Sequence, residues 1–63
     1  MNLTNDMIKN SGTNLIWFHE KFNKFYLSDG LYLYQWNNDL NDWDDSDYTI
    51  NDSIFGEMTI CDK

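Results

Sequence analysis

The chain has 63 residues, with eleven acidic side chains against four lysines, no arginine, no proline and a net charge of −7. That length makes residues 1–63 one small domain with a marginal core, and that charge excludes direct binding to nucleic acid, whose phosphates it would repel. Aromatic residues form 17% of the chain, which is rich for an acidic sequence and points to a folded domain rather than a disordered one.

The first element is short. In "TNDMIKN", Thr4 or Asn5 serves as an N-cap for one or two helical turns, and Asn10-Ser11-Gly12 ends them. From Asn14 the pattern changes to strand formers. "LIWFHE" places Leu15, Trp17 and His19 on one face and Ile16, Phe18 and Glu20 on the other. "KFNK" reads as a turn, because Asn23 tolerates positive φ. "FYLS" follows, and then Asp29-Gly30, the strongest hairpin signal in the chain. A two-residue turn at Asp29-Gly30 pairs Ser28 with Leu31, Leu27 with Tyr32, Tyr26 with Leu33 and Phe25 with Tyr34. One face then carries Phe25, Leu27, Tyr32, Tyr34 and Trp36, and the other carries Tyr26, Leu31 and Leu33. Both faces are apolar enough to be partly covered, whereas antiparallel sheets commonly leave one face to water.

"WNNDLND" supplies a polar loop, and "WDDSDY" reads as a fourth strand or an irregular edge. "SIFGEMTIC" reads as a last strand, with Gly56 marking a bend or bulge. The expected fold class is mainly β: an antiparallel meander of four or five short strands, joined in an α+β arrangement by one short N-terminal helix.

Cys61 is the single cysteine, so no disulfide forms within the chain, and it reads as a free thiol of a reducing compartment. The start "MNLTNDMIKN" lacks a basic region followed by an apolar run. No apolar stretch approaches the roughly 20 residues of a membrane span. The expected location is therefore the cytoplasm, away from the membrane, and the acceptor-like triplets "NLT" and "NDS" are read as chance.

Charge is unevenly spread. Residues 1–24 sum to +1, with Asp6 and Glu20 against Lys9, Lys21 and Lys24. Residues 25–63 sum to −8, with nine acids against Lys63. The centre of this asymmetry is "NDLNDWDDSDY", residues 38–48, with five aspartates around one tryptophan. Like charges so crowded destabilise a fold unless solvent, a metal or a cationic partner takes up the field.

Metal binding is the first use to weigh. On an EF-hand loop, Asn37, Asp39 and Asn41 fall at positions 1, 3 and 5. The sixth position, which requires Gly, then holds Asp42, and the twelfth, which requires Glu, holds Tyr48. One His and one Cys fall short of a zinc set. Acid–base catalysis needs a carboxyl in a dry pocket, and aspartates among Asn and Ser are solvated. No metal, cofactor or enzymatic activity is expected. His19 reads as a strand histidine, and the Phe25–Trp36 row as core. Trp43, flanked by Asp42 and Asp44, reads either as a plug at the core's edge or as an exposed anchor, tryptophan being enriched at binding hot spots.

The remaining use is recognition of a basic protein. Asp39, Asp42, Asp44, Asp45 and Asp47, with Trp43 and Tyr48, are the candidate partner-binding residues. On an extended strand, Asp42 with Asp44, or Asp45 with Asp47, stand about 6.5–7 Å apart on one face. Asp29, Asp52, Glu57 and Asp62 can add charge from neighbouring elements.

In size, charge and aromatic-rich acidic character along its whole length, the chain resembles the small acidic inhibitors encoded by bacterial viruses. These include inhibitors of uracil-DNA glycosylase, anti-restriction proteins and anti-CRISPR proteins. The resemblance implies a non-enzymatic inhibitor, acting in the cytoplasm of a host cell, that imitates DNA and occupies the basic groove of a nucleic-acid-binding host or defence protein. The alternative is a small structural or assembly module that self-associates as a homodimer through its aromatic sheet face, its acidic run serving solubility.

Overall fold

A computed structural model describes residues 2–61. In chain order it comprises α1 (Asn5–Ser11), β1 (Leu15–His19), β2 (Lys24–Ser28), β3 (Tyr32–Asn37), β4 (Asp42–Thr49), a 3-10 helix (Ser53–Glu57) and β5 (Thr59–Cys61). The five strands form one antiparallel sheet in the order β4-β3-β2-β1-β5. The expected mainly-β fold with a short N-terminal helix is what the chain adopts. Four strands form the meander, and β5 returns to the far side of β1. Among the described residues no helix is long and apolar enough to cross a membrane.

Thr4 caps α1, its hydroxyl accepting from the Met7 amide at 3.3 Å. Gly12 ends the helix at a positive φ of 60°, a conformation that costs glycine little. So short a helix is marginal alone, and tertiary packing holds it. Met7, 1% exposed, lies in a cluster with Ile16, Phe25 and Leu27, bordered by Phe18, Tyr34, Trp36 and Trp43. On the opposite face Tyr26, Leu33 and Ile54 form a second cluster with Ile50, Phe55 and Met58. The 3-10 helix covers this face, and Phe55 meets Trp17 edge-on at 4.9 Å. Both faces of the sheet are thus covered, as its two-sided apolar pattern requires.

Two sequence expectations are corrected. First, the β2–β3 register pairs Ser28 with Leu33, Leu27 with Tyr34 and Tyr26 with Gln35, two residues away from the expected pairing. The corner lies at Gly30 (φ 104°) and Leu31, one residue later than expected, because Asp29 serves as a cap. Its Oδ1 accepts from the amides of Leu31 at 3.0 Å and Tyr32 at 2.8 Å, and its Oδ2 accepts from the Tyr34 hydroxyl at 3.2 Å. A two-residue slip preserves the strand's two-residue period, so the paired side chains keep their predicted faces, while Leu31, expected beside Tyr26 and Leu33, lies exposed in the corner. Second, "SIFGEMTIC" is a strand only over Thr59–Cys61. Its first half coils into the 3-10 helix, which drives Ile54 into the second cluster. Gly56 lies within that helix and marks no bulge. The irregularity of ladder pairing falls instead in β4.

His19, 1% exposed, closes the β1–β2 turn. The Phe22 amide donates to its Nδ1 at 3.1 Å, and its Nε2 lies 2.8 Å from Glu57 Oε1. With Nδ1 accepting, Nε2 carries the proton and donates to the carboxylate. One imidazole therefore ties the turn to the end of the 3-10 helix. Asn23 takes a φ of 53° in that turn, as its residue type suggests.

Candidate functional site: the acidic edge strand

Residues 38–48 form the β3–β4 turn and most of β4, which is an outer strand of the sheet. Asn37 shapes the turn, its Oδ1 accepting from the amides of Asp39 at 2.9 Å and Leu40 at 3.2 Å. Asn41 completes it at a φ of 52°, and its carbonyl accepts from the Asn10 side chain of α1 at 3.2 Å. Asp39 and Leu40 stand exposed at the tip.

Along β4 the register sets which aspartates share a face. Asp42 faces Asn37, Trp43 faces Trp36, Asp44 faces Gln35 and Asp45 faces Tyr34. Asp42 and Asp44 therefore share one face, as expected, while Asp45 shares the other with Trp43. The expected Asp45/Asp47 pair is broken. Tyr34 pairs with Asp45 but Leu33 with Tyr48, so Ser46 and Asp47 are extra residues in a bulge. Asp47 takes a φ of 66° there. Ser46 repairs the ladder: its hydroxyl donates to the Leu33 carbonyl at 2.6 Å and accepts from the Tyr48 amide at 3.2 Å.

The carboxylates hold one another's backbone. The amide of Trp43 donates to Asp42 at 2.7 Å, that of Asp45 to Asp44 at 2.9 Å, and that of Asp47 to Asp45 at 3.0 Å. The Thr49 amide donates to Asp52 at 2.7 Å. Every second amide of an edge strand faces away from its neighbour, and the series 43, 45, 47, 49 is capped throughout by side-chain oxygens. Sequence reading counted the charge of these residues and missed this local use. The clue was present in the runs "DW", "DD" and "DSD", since Asp commonly bonds amides one or two residues ahead.

Trp43 is half-buried. Its indole meets Trp36 at 5.1 Å in a near-perpendicular arrangement and borders the first core cluster. Tyr48 is 37% exposed, close enough to Tyr26 to add to the upward push on that phenol, which comes first from burial. The Tyr34 phenol is likewise pushed up, mainly by donating to the Asp29 carboxylate and then by the field of Asp29, with Asp45 adding a smaller share. Asp29 itself is held below its ordinary value, chiefly by the Leu31 and Tyr32 amides. Asp29 and Asp45 thus bracket Tyr34, and Asp52 extends the acidic edge past Thr49. Glu57 turns to His19, and Asp62 lies outside the described residues.

Among the described residues the single ion pair is His19–Glu57, so no lysine lies within ion-pair distance of any β4 carboxylate. Among them, too, no three His, Cys, Asp or Glu side chains are grouped to hold a metal. The fold and site together define a small antiparallel sheet, covered on both faces, with one uncompensated acidic edge. No protein-family model matches the chain, and no curated protein or solved structure matches it.

Proposed function

We propose that this chain is a non-enzymatic inhibitor whose acidic β4 edge occupies the basic, nucleic-acid-binding groove of another protein. The observation that carries the reading is the exposure of Asp39, Asp42, Asp45 and Asp47 along one sheet edge with no lysine paired to any of them. Asp42 and Asp44 stand about 6.5–7 Å apart on one face, about two of the roughly 3.4 Å axial steps per phosphate of one DNA strand. The caps described above hold one oxygen of Asp42, Asp44 and Asp45 on a backbone amide. The other oxygen of Asp42 and of Asp45 is left for a partner's Arg or Lys, in charge-assisted bonds of fixed direction, while the second oxygen of Asp44 accepts from the Asn37 side chain at 3.5 Å. Tyr48 and the exposed Leu40 flank the row and supply apolar contact. Trp43 acts from beneath, as the packed support of the strand. Association is fast and weakens with salt, as electrostatic steering requires.

The test is capture from bacterial lysate by the wild type and by D39N/D42N/D44N/D45N/D47N, with duplex DNA as competitor. An asparagine oxygen still accepts the local amide bonds, so the variant removes charge and keeps the edge. Expected is a nucleic-acid-binding protein that the wild type retains, DNA displaces and the variant fails to hold. Retention by the variant with the same affinity and salt slope would refute the proposal.

A further inference from the structure

The turns that join β1 to β2, β2 to β3 and β3 to β4 are closed by the same contact. In each, a side chain at the end of the incoming strand accepts from the amide three residues on. Asp29 accepts from Tyr32 at 2.8 Å, Asn37 from Leu40 at 3.2 Å and His19 from Phe22 at 3.1 Å. The first two acceptors are oxygens that remain acceptors across the neutral range. Asn carries no titrating group, and the Asp29 carboxyl is held below its ordinary value, chiefly by the Leu31 and Tyr32 amides. At His19 the acceptor is a ring nitrogen. Histidine is the side chain that changes charge between about pH 5 and pH 8, and once protonated both of its nitrogens are donors.

His19 is also the buried one of the three. A proton on its Nδ1 sets two N–H groups against each other across the 3.1 Å contact, and burial keeps solvent from replacing the lost bond, the setting in which an unmade bond costs most. At Nε2 the effect is opposite. That nitrogen already donates to Glu57 Oε1 at 2.8 Å, and protonation makes the bond a charge-assisted ion pair. The remaining charged groups around the ring act less. Lys24 of β2 pairs with His19 in the ladder, but its ammonium reaches away to Gln35 at 3.5 Å. Glu20 and Lys21, of opposite sign, stand exposed in the turn. The Tyr26 phenol, pushed up by burial, stays neutral, and Cys61 of β5 packs against the first cluster, on the opposite face.

We infer that His19 is a proton-operated latch on the β1–β2 turn: neutral, it holds both the Phe22 amide and Glu57; protonated from solvent, it releases the amide and keeps Glu57. Acid therefore loosens the turn while tightening the tie from β1 to the 3-10 helix. The turn is then left to the bond from the Asn23 amide to the Glu20 carbonyl, at 3.1 Å. Phe22 belongs to neither buried cluster, so the sheet keeps its packing as the turn opens. No residue of β4 takes part, and the latch stands whether or not the acidic edge meets a basic groove.

Nuclear magnetic resonance of the whole chain tests this, in steps from pH about 8 to pH about 5, with far-ultraviolet circular dichroism alongside. Expected is a Phe22 amide signal that moves with the same midpoint as the His19 ring signals. On the acid side its protection from hydrogen exchange, relative to the free-chain rate at each pH, falls about tenfold, as loss of one hydrogen bond implies. The Tyr32 and Leu40 amides and the dichroism stay unchanged. In His19→Asn, whose Oδ1 takes the place of Nδ1 and does not titrate, the Phe22 signal is flat with pH. In Glu57→Gln the imidazolium loses its carboxylate, so the shared midpoint moves to lower pH with Phe22 still following the ring. A ring that takes up its proton without any response at Phe22 overturns the inference. So does a ring that stays neutral down to pH about 5, or a chain that unfolds as a whole at the same midpoint. The wild-type titration decides alone if either variant fails to fold.

Discussion

Removing the β4 charges should strengthen the fold while abolishing recognition. Asp42 and Asp44 stand about 6.7 Å apart on one face, which in water corresponds to a repulsion of about 0.6 kcal/mol. Screening at 0.15 M salt reduces this to about 0.3 kcal/mol, and dilute buffer leaves about 0.5 kcal/mol. Asp44 with Asp45 and Asp45 with Asp47 add comparable amounts, and the longer pairs add less. The total is about 1 kcal/mol at physiological salt and about 2 kcal/mol in dilute buffer. In D42N/D44N/D45N/D47N that repulsion is gone. The amide caps survive, since Asn and Asp cap exposed amides about equally well. Urea denaturation should therefore show the variant more stable by about these amounts, the gap closing as NaCl rises towards 0.5 M with the slope m unchanged. A variant that is less stable than the wild type, or a gap indifferent to salt, would show that the carboxylates hold the fold through something other than the local amide bonds.

Four further outcomes follow from the packing and the caps. Leu33→Ala opens a cavity at a fully buried position and should cost about 2–5 kcal/mol. That is a large part of the roughly 3–9 kcal/mol a domain of this size has, so circular dichroism at 25 °C should show partial unfolding. His19→Leu strands the Phe22 amide and should cost about 1–3 kcal/mol, while Glu57→Gln, which keeps an acceptor for Nε2, should cost far less in the same melts. Asp29 has a depressed folded-state value, so its contribution is present above its unfolded value of about 3.8 and is lost as pH falls through the folded one. In Asp29→Ala the acid limb of the stability profile below pH about 4 should flatten. Asp47→Gly relieves the left-handed backbone at φ 66° and should raise stability by about 0.5–1 kcal/mol, measured against Asp47→Asn, which removes the same charge and keeps the side chain.

The strands and their faces were legible because they rest on alternation, which survives errors of detail. Asn23 marked a turn through its tolerance of positive φ, and Thr4 marked a helix start. Asp29-Gly30 marked the hairpin but misplaced its corner by one residue, since the sequence does not say whether an aspartate sits in a corner or caps it. The same ambiguity hid the bulge. "DDSDY" is polar on both faces, so no alternation marks a slip, and only the three-dimensional pairing shows Tyr34 taking Asp45 while Leu33 takes Tyr48. Ser53–Glu57 was misread because a short apolar run fits a strand or a helical turn equally, and burial of Ile54 across the sheet decided between them. At the site, the charge of residues 38–48 was plain from composition. The use of that charge to close the strand's own amides was not, because it depends on β4 being an outer strand.

That local use narrows how anything can engage β4. A strand added to the edge gains affinity from main-chain hydrogen bonds, and here Asp42, Asp44, Asp45 and Asp52 already take those donors. What the edge still offers is carboxylate oxygen, which only cations and polar hydrogens satisfy. The aspartates thus refuse one mode of recognition in the act of preparing another. A protein this acidic and aromatic-rich has two hazards, pairing at its edges and sticking through its faces. The faces are covered by α1 and the 3-10 helix, and one edge is closed by its own side chains. Such an arrangement closes β4 to backbone pairing and leaves it to side-chain contacts alone.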